Sequence, residues 1–374
     1  MCAPDTQPLW SLCFDACRCP HYTCTMFTVD AHLDLAYNAL GFGRDLTRPL
    51  AELRHAEQGR VGDGRLTVTL PALREAGVGL VFGTLFVAPF DPRKPQERQV
   101  YRDAQEAHTL ALRQLDYYHR LADEVEYVRL VGDAAGLEKI VASHQEEGER
   151  LLGVLPLMEG AEAIREPQEV EIWYERGVRV IGLAWDDTSY AAGAWRGGGG
   201  VTAKGYALME RMADLGLILD ITHLSEQASL EALERYEGHI VATHSNARAL
   251  VGSERHLSDT QIRTLAERGG VCGLVLYNRF LKRGYTRTDP RESVTLDDVV
   301  AHIDHICQLL GNANHVGIGS DFDGGFGAEH IPTGLDSVLD LPQIGVALTG
   351  RGYTPEDVRR IMGENWLDLL RRAL

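Results

Sequence analysis

Eight short apolar runs rich in β-branched residues recur along the chain, at 27–31, 78–87, 151–158, 178–185, 217–222, 239–243, 270–276 and 315–319. The gaps between them are too long for hairpins, and most carry helical signals. Tyr206, Met209, Met212 and Leu215 fall three apart, and Gly216 follows as a helix stop. Ser258-x-x-Gln261 and Thr295-x-x-Asp298 read as capping boxes, and Thr354-Pro355 as an N-cap with proline at the first helical position. Strands that alternate with helices need right-handed crossovers and pair in parallel. Eight such strands predict a closed (β/α)8 TIM barrel, with an open doubly wound sheet as the alternative.

Composition narrows the partners. The 374 residues are 44% hydrophobic, enough for a large core. No apolar run approaches the ~18 residues of a membrane span, so no membrane anchor is expected. Lys+Arg 37 against Asp+Glu 54 gives a net charge of −17, a field that repels phosphates and argues against nucleic acid and anionic membranes. Cys2, Cys13, Cys17, Cys19 and Cys24 crowd the start, leaving Cys272 and Cys307 for the rest. That cluster has neither the paired C-x-x-C units of a zinc knuckle nor cysteine partners downstream, and the segment lacks the pattern of a signal peptide. Residues 1–25 are therefore expected to be a disordered or spurious leader before Met26, with 26–374 a single barrel domain in a cytoplasmic protein. No repeat or Pro/Ser-rich linker divides that span. Two long connections, 35–77 and the glycine-rich 186–200, are expected to shape the mouth of a site. The latter is not a phosphate loop: read from Gly198, it has Ala203 where the second glycine belongs and Gly205 where Ser or Thr must hold magnesium.

The apolar runs share an ending. The first closes in His32 and Asp34, the third in Glu159, the fifth in His223, the sixth in His244, and the eighth in Asp321 and Asp323. In a parallel barrel all these ends lie on the rim that carries active sites. Imidazoles and carboxylates converging there suit a divalent ion of the zinc, manganese or iron type. Singly, each has a structural explanation: a hydrogen-bonded histidine, an aspartate capping a loop, a rim salt bridge. Jointly they predict a metal site. The remaining histidines, His55, His108, His119, His144, His302 and His305, lie on helical or loop stretches and are read as structural.

From about residue 26 to its C-terminus the chain resembles the membrane (renal) dipeptidases, peptidase family M19 of the amidohydrolase superfamily. The resemblance rests on Asp-Ala-His-Leu-Asp at 30–34, Met-Glu-Gly at 158–160, Asp-Ile-Thr-His-Leu-Ser at 220–225, Thr-His-Ser-Asn-Ala-Arg at 243–248, Gly-Ile-Gly-Ser-Asp-Phe-Asp-Gly at 317–324 and Gly-Glu-Asn-Trp at 363–366. It implies a binuclear site of two divalent ions, zinc foremost, with His32 and Asp34 on one ion, His223 and His244 on the other, and Glu159 bridging. Asp321 is implied as the group that takes the proton of an attacking metal-bridging hydroxide and passes it to the leaving amine. Asp323 stands behind it as a further substrate-side candidate. Arg255, in Gly-Ser-Glu-Arg-His-Leu, matches the family's arginine for the substrate carboxylate, a role suited to a bidentate guanidinium. His256 stands where the family often has asparagine.

One departure is conspicuous. Well-studied members place a histidine at the end of the fourth run, against the substrate carbonyl; the matching position here is Trp185, whose indole N–H can donate a hydrogen bond but carries no charge. The resemblance thus implies a zinc dipeptidase acting on dipeptides, including those with a C-terminal D-residue. It also carries over the family's tendency to form a homodimer. An amidohydrolase for another small amide, such as an N-acyl amino acid or lactam, is the alternative, and a non-catalytic metal-binding barrel a third.

Overall fold

The computed structural model describes residues 26–58, 64–94, 97–146, 148–196 and 198–374. The expected leader, residues 1–25 with its five cysteines, lies outside them. Eight parallel strands, β1 (Thr28–Leu33), β2 (Val78–Phe86), β3 (Leu152–Glu159), β4 (Val180–Gly182), β5 (Ile218–Asp220), β6 (Ile240–Val241), β7 (Cys272–Leu274) and β8 (Val316–Ile318), pair in the order β7-β8-β1-β2-β3-β4-β5-β6. A parallel bridge between Ala242 and Cys272 joins β6 to β7. Nothing of the open doubly wound arrangement remains, because its two edges meet. The fold is an α/β TIM barrel. A further short strand, Val128–Leu130, pairs with the first residues of β3 on the edge that β4 occupies higher up.

The helices form where the sequence caps them. Ser258 and Thr295 each accept a hydrogen bond from the first turn while Gln261 and Asp298 answer with their side chains, opening helices Asp259–Glu267 and Leu296–Leu310. Thr354 does the same before Pro355. Among the described residues, the connection 35–77 carries three helices, Leu35–Phe42, Leu50–Ala56 and Leu70–Glu75, the last capped by Thr69. No helix among the described residues is long and apolar enough to cross a membrane.

Alternation along the strands builds the barrel in layers. Val29, Ala31, Leu155, Leu157, Val180, Ile218 and Val241 point inward and pack with Phe82 and the C-terminal Trp366. Trp366 plugs the bottom: its indole lies 5.4 Å from Phe82, edge to face, and its Nε1 donates to the Ile318 carbonyl at 3.0 Å. The next inward positions up, Glu159 on β3, Asp220 on β5 and Thr243 after β6, are polar and buried. The barrel is thus apolar below and titratable at its upper rim. At β7 and β8 the Thr243 carbonyl comes so close that a Cβ on Gly273 or Gly319 would stand 1.8 Å from it, so these positions must be glycine.

Candidate metal centre

The rim gathers the side chains that end the strands. His32 reaches it through an irregularity. Asp30 pairs with Val81 and Leu33 with Gly83, so β1 spends three steps where β2 takes two. The bulge turns His32 toward the axis, and the strand stops at Leu33, leaving Asp34 to open helix Leu35–Phe42. His32 and Asp34 converge through a bulge and a turn rather than through regular alternation. Just after β5 and β8 the backbone takes a rarer route. His223, Asp321 and Asp323 adopt φ of 68°, 58° and 63°, the left-handed values found among the described non-glycine residues. Such conformations cost energy and persist where surrounding structure imposes them.

Glu159 stands at the centre. Its Oε1 lies 3.0 Å from His223 Nε2 and 3.3 Å from His244 Nε2, while its Oε2 lies 3.6 Å from His32 Nε2. Ligand-capable atoms within 4.8 Å of one another form three overlapping groups: His32, Asp34 and Glu159; Glu159, His223 and His244; and His32, His244 and Asp321. Asp321 Oδ1 is 3.9 Å from His32 Nε2.

This arrangement fits metal ions on its own chemistry. His223 Nε2 and His244 Nε2 face each other at 3.0 Å. Two imidazole nitrogens aimed at one point need a shared proton or a cation. Both nitrogens of His32, Oδ1 of Asp34 and Nδ1 of His223 are buried without a hydrogen-bond partner, which is costly unless an ion takes some of them up. Burial holds His32, His223 and His244 well below the ordinary histidine range, and the Arg255 guanidinium adds to the effect. Burial likewise pushes Glu159 and Asp321 well above the carboxylate range, reinforced by Asp34 in both cases, and raises Asp34 to about 7 with Asp323 contributing. Crowded carboxylates beside neutral imidazoles form a cavity that favours positive charge.

Beneath these side chains lie two matching clamps that the sequence reading did not single out. Asp220 Oδ1 accepts from the amides of Thr222 and Thr243, at 2.9 and 3.0 Å, and its Oδ2 from the Thr243 hydroxyl at 2.5 Å. Asp30 repeats the pattern, accepting from the amides of His32 and Ser320 and, at 2.5 Å, from the Ser320 hydroxyl. Each aspartate ties the end of its own strand to a neighbouring one. Thr243 Oγ1 also lies 3.0 Å from His244 Nδ1. With the hydroxyl proton committed to Asp220, Oγ1 accepts from Nδ1–H, which leaves the Nε2 lone pair facing the cluster. The signal was present in sequence as an Asp two residues before His32 and before Thr222, but without the fold it does not separate from chance.

The other candidates fall around this core. Arg255 is buried, and its guanidinium donates to the His244 carbonyl at 2.8 Å and to Ser245 Oγ at 3.2 Å, while its Nε has no partner. Burial lowers it to about 10, opposed by Asp321 and Glu159. Trp185 lies 6.0 Å from the His223 ring and packs edge to face on Phe86 at 5.1 Å, with Lys94 Nζ 5.1 Å from its ring centre. Asp323 sits beside Asp34, but both its oxygens accept from Thr67 and Val68, tying the 64–69 segment to the rim. Residues 186–196 run along the same edge: Ala194 N donates to the His223 carbonyl at 2.7 Å and brings Trp195, which the sequence reading passed over, to 6.0 Å from the His223 ring. Among the histidines read as structural, His108 bonds to the Ala163 carbonyl, His119 to that of Arg176, His144 to that of Leu151 and His302 to that of Leu281, all outside the cluster.

A barrel with this rim is a metal-dependent hydrolase of the amidohydrolase type. The membrane dipeptidase family, peptidase family M19, matches residues 21–373, and the chain belongs to that family: it is a metallopeptidase whose family implies a divalent metal. It is 31% identical over 262 residues to an uncharacterized protein in the pqqA 5′ region of Klebsiella pneumoniae, covering 68% of this chain and 92% of that protein. It is 27% identical over 310 residues to dipeptidase aclJ of Aspergillus oryzae, covering 81% and 69%. A metallopeptidase structure from Rhodobacter sphaeroides, liganded with a phosphinate mimic of the dipeptide L-Ala-D-Ala, superposes with a TM-score of 0.77 at 26% identity, covering 94% of this chain and 100% of that one.

Proposed function

We propose that this protein is a binuclear zinc dipeptidase, with residues 26–374 forming one catalytic barrel domain. His32 and Asp34 would hold one ion, His223 and His244 the other, and Glu159 would be shared between them. The observation that carries this reading is the division of Glu159, one oxygen toward His223 and His244 and the other toward His32. When bound, a pair of divalent ions supplies Lewis acidity toward the scissile carbonyl and lowers the pKa of water.

The chain's own groups do the rest. Asp321, raised by burial and standing at the edge of both ligand sets, accepts the proton of the attacking water and returns it to the leaving amine. Arg255, with an unpartnered buried Nε, receives the substrate's free carboxylate. Trp185 borders the carbonyl side, where its indole replaces a charged donor, and Asp323 fixes the rim behind Asp34. The likeness to the Rhodobacter structure with its L-Ala-D-Ala mimic supports extending the substrates to a C-terminal D-residue. A cytoplasmic setting is favoured by the free thiols of Cys272 and Cys307, and a homodimer is carried over from the family resemblance.

The test is a hydrolysis screen of L,L and L,D dipeptides against N-acyl amino acids, with and without chelator, beside metal analysis of the purified protein. Dipeptide cleavage abolished by chelator and close to two ions per chain are expected. Activity confined to N-blocked substrates would reject the dipeptidase in favour of the other amidohydrolase reading, and one ion or none would reject the binuclear site.

A further inference from the structure

A line of aromatic contacts runs from the metal cluster to the carboxylate anchor. Trp195 lies 6.0 Å from the His223 ring and stacks on Phe280 at 6.2 Å and 30°. Phe280, on the short helix Asn278–Leu281 that follows β7, in turn lies 5.3 Å from the Arg255 guanidinium carbon. On the dipeptidase reading, on which this inference rests, the scissile carbonyl sits at the His223 end and the free carboxylate at Arg255. The substrate atoms between those points are the C-terminal residue's nitrogen, Cα and side chain. The wall therefore borders that one residue.

The wall is apolar and held open. Trp195 is 44% exposed, although its segment is fixed on both sides: Gly193 bridges to Leu224, Ala194 N donates to the His223 carbonyl, and Arg196 pairs with Asp186 at 2.7 Å. A large indole held in place yet left half in water beside a reaction centre gains most when a second apolar surface covers it. At the far end of the same line the buried Nε of Arg255 has no hydrogen-bond partner, so a donor is available there for a substrate carboxylate.

We infer that Trp195 and Phe280 make this enzyme selective for dipeptides whose C-terminal residue carries an apolar, preferably flat, side chain. The test compares kcat/KM of the metal-loaded full chain on Ala-Phe, Ala-Leu, Ala-Gly and Ala-Asp. The wild type is expected to favour Ala-Phe and Ala-Leu over Ala-Gly by about tenfold or more, with Ala-Asp poorest. Trp195→Ala should lower the Ala-Phe to Ala-Gly ratio about tenfold, mainly through KM; Phe280→Leu should lower it in the same direction, and Trp195→Phe should restore most of it. If Trp195→Ala loses all activity, the other two variants decide. A wild-type ratio near one, or ratios that do not move in the variants, would overturn the inference while leaving the dipeptidase reading standing. Failure to cleave any of the four dipeptides would overturn both.

Discussion

A carboxylate can relay a proton only if it faces the reacting atoms and is not tied to fixed donors, and that criterion separates the two aspartates after β8. Asp323 gives both oxygens to Thr67 and Val68. Asp321 instead aims Oδ1 at the cluster, its backbone held by an N–H bond to the His32 carbonyl. Asp321→Asn is expected to lower kcat by 10²–10⁴-fold, the usual span for a lost acid–base group, with metal content by elemental analysis unchanged. A turnover close to wild type would remove its role. Thr243 acts at one remove. Thr243→Val deletes the hydroxyl that links Asp220 to His244 Nδ1, so affinity for metal, measured by chelator competition, should fall by about 10–100-fold. An unchanged affinity would show that packing alone orients the ring.

At the scale of elements, the C-terminal segment is structural while the rim is chemical. Residues Arg360–Glu364 form a wider π turn between two α-helical pieces. There Gly363 lies so close to β1 that a Cβ would come within 2.4 Å of the Phe27 carbonyl. That approach drives Trp366 into the barrel floor and lets Asn365 donate to the carbonyls of Ala313 and Val316, at 2.6 and 2.8 Å. The Gly-Glu-Asn-Trp motif belongs to this plug, at the opposite end of the barrel from His32, Glu159, His223 and His244. Trp366→Ala should cost about 3–5 kcal/mol in urea unfolding, as emptying a large buried aromatic site does. A loss below about 1 kcal/mol would mean that the floor closes without it.

For the whole molecule, stability against acid has a nameable contributor outside the active site. His302 is buried; its Nδ1 accepts from Ala247 N at 3.2 Å and its Nε2 donates to the Leu281 carbonyl at 3.2 Å. Protonation at Nδ1 would break the first bond, and burial pulls the group from the ordinary 6.5 to about 4. Because the folded pKa is depressed, the unfolded chain binds more protons in this window. The stabilisation is complete above pH ~6.5 and lost as pH falls toward ~4, by about 3 kcal/mol. His302→Gln should flatten that part of the stability-against-pH curve measured by chemical denaturation. An unchanged slope would assign the acid sensitivity to other groups.

Sequence by itself determined the order of the eight barrel strands, the capped starts at Ser258, Thr295 and Thr354, and which residue types end the strands. Apolar periodicity and capping are local, so a reader of the chain can see them. Tertiary structure decided what local patterns cannot hold. Whether the sheet closes depends on Ala242 meeting Cys272, 30 residues apart. How His32 and Asp34 converge depends on a bulge set by β1's register against β2. Asp220 and Asp30 become clamps only because Thr243 and Ser320 arrive from neighbouring strands. Trp195 gained its place beside His223 because Ala194 N donates to the His223 carbonyl, a contact between segments that local pattern does not specify. Each of these depends on contacts between distant segments, and such contacts take their geometry from the packed barrel.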